Sequence, residues 1–180
     1  MKATGIIRRI DDLGRIVIPK EIRKTLHIRE SDPLEIFTEK DDSVILKKYS
    51  PIGEMGSNAQ QYADSIASKI PHTVCICDHD CVIAAAGPHA KKISGKLLLE
   101  ESQKILSDRK DLFIDCKKDD FSPFISDFPE IFHYICLATI IAESHPAGFL
   151  CILSTEEKLT EQELLITKIG AKFLGTQLET

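Results

Sequence analysis

No stretch of the 180-residue chain is apolar enough to span a membrane: the longest mainly apolar run, residues 134–142, falls far short of the roughly 18 residues that cross a bilayer. The opening MKATGIIRRIDD holds no apolar signal segment either, so a soluble, cytoplasmic protein with no membrane partner is expected. Cysteine is sparse. Six residues amount to about 3%, below the roughly 8–10% of a disulfide scaffold, and reduced thiols follow. Catalytic patterns are missing too. There is no phosphate-cradling glycine loop, no G-x-S-x-G elbow and no H-E-x-x-H, and His27, His72, His89, His133 and His145 stand singly. No catalytic residue, metal set or cofactor is indicated, which makes an enzyme the least favoured class. No internal repeat or low-complexity segment interrupts the chain. Its 43% hydrophobic content suffices for one domain or two small ones.

The net charge of −5 argues at first against a nucleic-acid partner, yet it hides an asymmetry. Residues 1–29 carry eight basic against three acidic side chains, a net +5, which leaves −10 for residues 30–180. A basic head on an acidic body confines contact with a polyanion to one surface.

Within the head, Ile6, Arg8 and Ile10 alternate with Ile7 and Arg9, residues 11–14 supply turn formers, and residues 15–18 are β-branched apart from Arg15. A strand, a turn and a strand are predicted. Pro19 suits the first position of a helix running to about His27, on which Lys20, Arg23 and Lys24 cluster opposite Ile22, Thr25 and Leu26. A second hairpin is expected from residues 33–39 and 44–49 around Lys40-Asp41-Asp42-Ser43. Fifty residues bury too small a fraction of their surface to be comfortable alone, so pairing with a second copy is expected.

The string TGIIRRIDDLGRIVIPKEIRKTLHIRESDPLEIF is similar to the AbrB-like DNA-binding domains, through the run from Arg9 to Pro19, the helix EIRKTLHI and the strand DPLEI. The longer order of elements resembles the stage V sporulation protein T family, in which this head precedes a GAF-type sensor domain. The resemblance implies a DNA-binding activator and repressor of sporulation genes in the forespore. It also implies a swapped-hairpin β-barrel made by two chains on double-stranded DNA. Carried over residue by residue, the DNA-contacting positions are Arg8, Arg15, Arg23 and Lys24; Lys24 stands where relatives have arginine, so a bidentate contact becomes a point charge. Charge and geometry add Arg9 and Lys20.

Beyond a hinge at residues 51–56, residues 57–180 are expected to form the second domain, an α+β antiparallel sheet flanked by helices. Helices are predicted at 54–70, in the 96–107 region and from Thr160, where Thr160 and Glu163 fit a capping box. Strands are expected at 73–78, 81–86, 112–116, 131–141 and 148–153, with residues 143–146 as the last turn. The phenylalanines of FSPFISDFP should fold back onto the core. Asp78, Asp80 and the pair Asp119-Asp120 read as turn and surface carboxylates.

The end helices, 54–70 and 160–178, carry more apolar stripe than one sheet needs, and an intersubunit bundle giving a homotetramer is expected. Cys75, Cys77, His79 and Cys81 lie within seven residues; core packing is the leading reading, with redox sensing and zinc as alternatives. A small-molecule ligand is an open partner for the second domain, with no residue set that names it. Two other classes stay open: an antitoxin-like protein sharing the head fold, and a ligand sensor acting through protein partners.

Overall fold

The computed structural model describes residues 5–179 except positions 27, 29, 31, 41, 42 and 120. It divides into two units, Met1–Tyr49 and Ser50–Thr180. The expectations for His27, Asp41, Asp42 and Asp120 lie outside the described residues.

In the first unit, residues 5–10 and 15–19 are two arms around a turn. The Asp11 N–H donates to the Arg15 carbonyl at 3.0 Å and the Gly14 N–H to the Asp11 carbonyl at 3.0 Å. Gly14 adopts φ 74°, a left-handed conformation open to glycine at no steric cost. The strands expected over 6–10 and 15–18 are not formed in the single chain. A strand needs a ladder of backbone hydrogen bonds to a neighbouring strand, and residues 5–10 and 15–19 form no such ladder among the described residues. Helix α1 follows at Lys20–Thr25, shorter than expected at both ends, with Pro19 as its N-cap and Leu26 as its C-cap. Strands β1 (Leu34–Thr38) and β2 (Val44–Lys48) form the predicted hairpin, Ile36 facing Leu46.

The second unit contains α2 (Pro51–Glu54), α3 (Ser57–Ala67), β3 (Thr73–Cys77), β4 (Val82–Ala86), a 3₁₀ turn at Ala90–Lys92 and α4 (Glu101–Asp108). It ends with β5 (Leu112–Asp115), β6 (Tyr134–Ala142), β7 (His145–Ser154) and α5 (Glu161–Gln177). Five antiparallel strands run in the order β4-β3-β7-β6-β5. Both faces of the sheet are covered. Val74, Ile76, Ala138, Ile140, Leu150 and Ile152 share a core with Ile52, Ala59, Ala63, Ala171 and Leu174 from α2, α3 and α5. The alternate residues Cys75, Cys77, Leu137, Phe149 and Cys151 pack with Leu106 of α4 and with Phe124 and Phe132. Covering on both sides is why β3 reads as a continuous apolar run.

FSPFISDFP does fold back. Rings of Phe121, Phe124, Phe128, Phe132 and Phe149 meet in a chain with centroids 5.5–6.4 Å apart, and Phe124 is fully buried. The turn before β7 is only Glu143-Ser144, at φ 48° and 66°, so His145 and Pro146, expected in the turn, belong to the strand. Residues 51–56, expected as a hinge, hold α2, whose Ile52 is buried to 0% exposure. The helix expected over 54–70 spans only Ser57–Ala67, and that in the 96–107 region begins at Glu101, because Leu97 and Leu98 are taken up in bridges to Cys81 and Ile125.

Candidate nucleic-acid interface

Arg15 is the best-positioned cation. Asp11 organises its surroundings: Oδ1 accepts the Leu13 and Arg15 N–H groups at 3.0 and 2.8 Å, and Oδ2 accepts Nε of Arg15 at 2.8 Å. These bonds, the Arg15 backbone first and its guanidinium second, hold the Asp11 carboxyl below its ordinary value. The ion pair uses Nε, and the Arg15 side chain is 69% exposed, so its terminal amino groups can still grip a phosphate or a base edge. Asp11 was predicted only as a turn former. Its spacing four residues before Arg15, with Gly14 between, was the legible signal.

Arg8, Arg9, Lys20, Arg23 and Lys24 are all exposed. Lys20, Arg23 and Lys24 share α1, where Arg23 and Lys24 fall in the last turn and complement the helix dipole. Arg8 donates from Nη1 to its neighbour Ile7's carbonyl at 3.3 Å. The same unit exposes apolar side chains beside these charges, among them Ile7 at 87%, Ile10 and Leu13 at 70% and Val17 at 71%.

In the second unit the ring chain packs on one face of the sheet, and a cleft of about 530 Å3 between α4 and β5 is lined in part by two of its rings, Phe121 and Phe124. Ile105, Leu112 and Ile114 add to its apolar lining, with Glu101 and Lys104 among its charges. Cys75 faces Cys151 across β3 and β7, with Cys77 on the same side; all three are buried in the core, and burial pushes Cys77 and Cys151 well up. Half-buried Cys81 and Cys116 are each pushed up to about 11, first by burial and then by neighbouring carboxylates. Among the described residues no group of three His, Cys, Asp or Glu side chains is arranged to hold a metal ion, and no helix is long and apolar enough to cross a membrane.

Residues 54–179 match the family model described as stage V sporulation protein T C-terminal, transcription factor. The chain belongs to this family. It is 42% identical over 179 residues to stage V sporulation protein T of Bacillus subtilis (strain 168), covering 99% of each chain. Its head is 59% identical over 51 residues to the transition state regulatory protein AbrB of the same organism, which spans 28% of this chain and 52% of that one. Residues 7–54 also match the model described as antidote-toxin recognition MazE, bacterial antitoxin. The GAF domain from Acinetobacter phosphoenolpyruvate-protein phosphotransferase superposes with a TM-score of 0.51 at 12% identity, covering 73% of this chain and 84% of that one, which shows the fold of the second unit to be GAF-type. The protein is therefore a sporulation transcription regulator with an AbrB-like DNA-binding head.

Proposed function

We propose that the chain grips double-stranded DNA with Arg8, Arg15, Arg23 and Lys24, supported by Arg9 and Lys20, through heads paired between two chains. The observation that carries this reading is the mixture on one small unit of exposed cations and exposed apolar side chains. The apolar set would close against a second copy, leaving the cations for phosphate. Such contacts position the protein, and preference among sequences then comes partly from DNA shape and deformability. The regulator works without catalysis or a cofactor, in the cytoplasm of the forespore, as both activator and repressor.

Titration of a labelled A·T-rich duplex tests the reading. If a dimer neutralises about six to ten phosphates, affinity falls by about 10³–10⁵ between 50 and 200 mM salt, and Arg15→Ala with Arg23→Ala abolishes binding while the chain stays folded. A flat salt response rejects it.

On α5, Leu165, Ile169 and Phe173 are 57%, 59% and 47% exposed, and the Phe173 ring stacks on Tyr62 of α3 at 5.2 Å. This stripe supports an intersubunit bundle of α3 and α5 that joins two head pairs into a homotetramer. Ile169→Glu should halve the solution mass; an unchanged mass rejects the bundle. The cleft beside α4 is the place for a small-molecule signal. The antitoxin match of residues 7–54 favours a second reading, in which the head serves a toxin partner. A small protein co-purifying with the chain would support that reading, although about 130 folded residues follow the head.

A further inference from the structure

We propose that Ser50, Asp78 and Gly148 form a latch that fixes where the chain leaves the sensor unit toward the head, with Asp78 as a positioning residue for DNA binding. The boundary between the units falls immediately before Ser50. Ser50 Oγ accepts the Gly53 N–H at 2.9 Å, capping α2, and donates to Oδ2 of Asp78 at 2.8 Å. Asp78 is only 6% exposed. Its other oxygen, Oδ1, accepts the Asp80 and Cys81 N–H groups at 2.7 and 2.8 Å, so both oxygens of a buried carboxylate are engaged, one in the β3–β4 turn and one on the linker.

The apolar half of the latch is as specific. Ile52, two residues after Ser50, is completely buried, and a Cβ at position 148 would lie on the Cys77 carbonyl and 2.6 Å from Cδ1 of Ile52. Gly148 thereby makes the seat for α2 on β7. The first turn after the boundary is thus held by a charged hydrogen bond and a buried isoleucine, whereas a passive tether would be polar and mobile.

The β3–β4 turn also reaches the cleft helix. His79 Nε2–H donates to the Pro146 carbonyl at 2.9 Å, and the His79 carbonyl accepts Nε2 of Gln103, on α4, at 3.1 Å. Linker, turn and α4 are therefore joined by consecutive hydrogen bonds. A device that restricts the exit of the chain matters for DNA only when two head pairs must reach two sites together, so this inference rests on the tetramer reading. Restriction raises the effective concentration of the second head pair at its site.

The test uses the full chain on two duplexes, one carrying a single site and one carrying two spaced sites. Wild type is expected to bind the two-site duplex far more tightly. Ser50→Ala and Asp78→Ala should lose about tenfold of that gain while keeping single-site affinity and tetramer mass. Asp78→Asn should recover much of the gain, since the amide still accepts the turn N–H groups and can donate to Ser50 Oγ. A merely structural role for Asp78 would move thermal stability without moving the ratio of two-site to single-site affinity. Full two-site gain in folded, tetrameric Ser50→Ala and Asp78→Ala overturns the latch. No gain in wild type overturns it, and the solution mass then shows whether the tetramer reading fails with it.

Discussion

The two units of the chain solve the burial problem in opposite ways. The GAF-type unit closes both faces of its sheet with its own helices and phenylalanines, so residues such as Ile76, Phe124, Leu137 and Leu150 are fully buried. The head leaves Ile7, Ile10, Leu13 and Val17 largely exposed, and its arms have no strand ladder among the described residues. The sheet of the second unit is closed within one chain, with an apolar stripe left exposed along α5, whereas the head leaves most of its large apolar side chains in the open. Under the proposed pairing, the head's stability lies in association, where protein concentration and DNA both act on it by mass action.

Paired substitutions test this contrast. In the sensor, Phe124→Ala removes a ring that touches Phe121, Phe128 and Phe149, and a cost of about 3–5 kcal/mol in denaturant unfolding is expected at any protein concentration. In the head, Val17→Ala should cost no more than about 0.5 kcal/mol if the side chain stays exposed as in the single chain. Closure against a second copy predicts about 1.5 kcal/mol instead, from two buried carbons, with a midpoint that rises with concentration. A small, concentration-independent effect at Val17 would show that the head stands alone and would remove the contrast.

How far the sequence could be read follows the same division. The capping box at Thr160 and the amphipathic α5 are local patterns and lie where the residues indicate, and the five strands of the sheet stand in the expected order with ends shifted by up to three residues. The head's arms carry the strand pattern as clearly, but no ladder joins them among the described residues. Non-local features were the least legible. Ser50 and Asp78 are 28 residues apart, and nothing in either neighbourhood announces the bond that turns an expected hinge into the anchored α2. The turn before β7 was misplaced because Glu143 and Ser144 occupy positive-φ positions ordinarily given to glycine or asparagine. In the interface, Arg8, Arg15, Arg23 and Lys24 come from the family resemblance and Arg9 and Lys20 from charge and geometry, whereas the orienting role of Asp11 rests on its bonds to Arg15.

The smallest expected effect compares two carboxylates, each bonded to nearby backbone. Asp11 in the head accepts the Leu13 and Arg15 N–H groups, and Glu163 in the sensor accepts the Thr160 N–H at 2.8 Å while the Thr160 hydroxyl accepts the Gln162 N–H at 3.2 Å. Burial works to raise Glu163, but the Thr160 bonds outweigh it and the carboxyl ends below its ordinary 4.5; Asp11 ends below 3.8 through Arg15. A carboxylate with a depressed value stabilises the fold above its ordinary pKa, and that contribution fades as pH falls through the folded value. Thr160→Ala should therefore cost about 1 kcal/mol near neutral pH, and the difference from wild type should shrink as pH drops below 4.5 and Glu163 protonates. Denaturant unfolding of both proteins at pH 7 and at pH 3 measures it. A difference that stays constant with pH would assign the cost to the lost Thr160 hydroxyl alone and remove Glu163 from the cap.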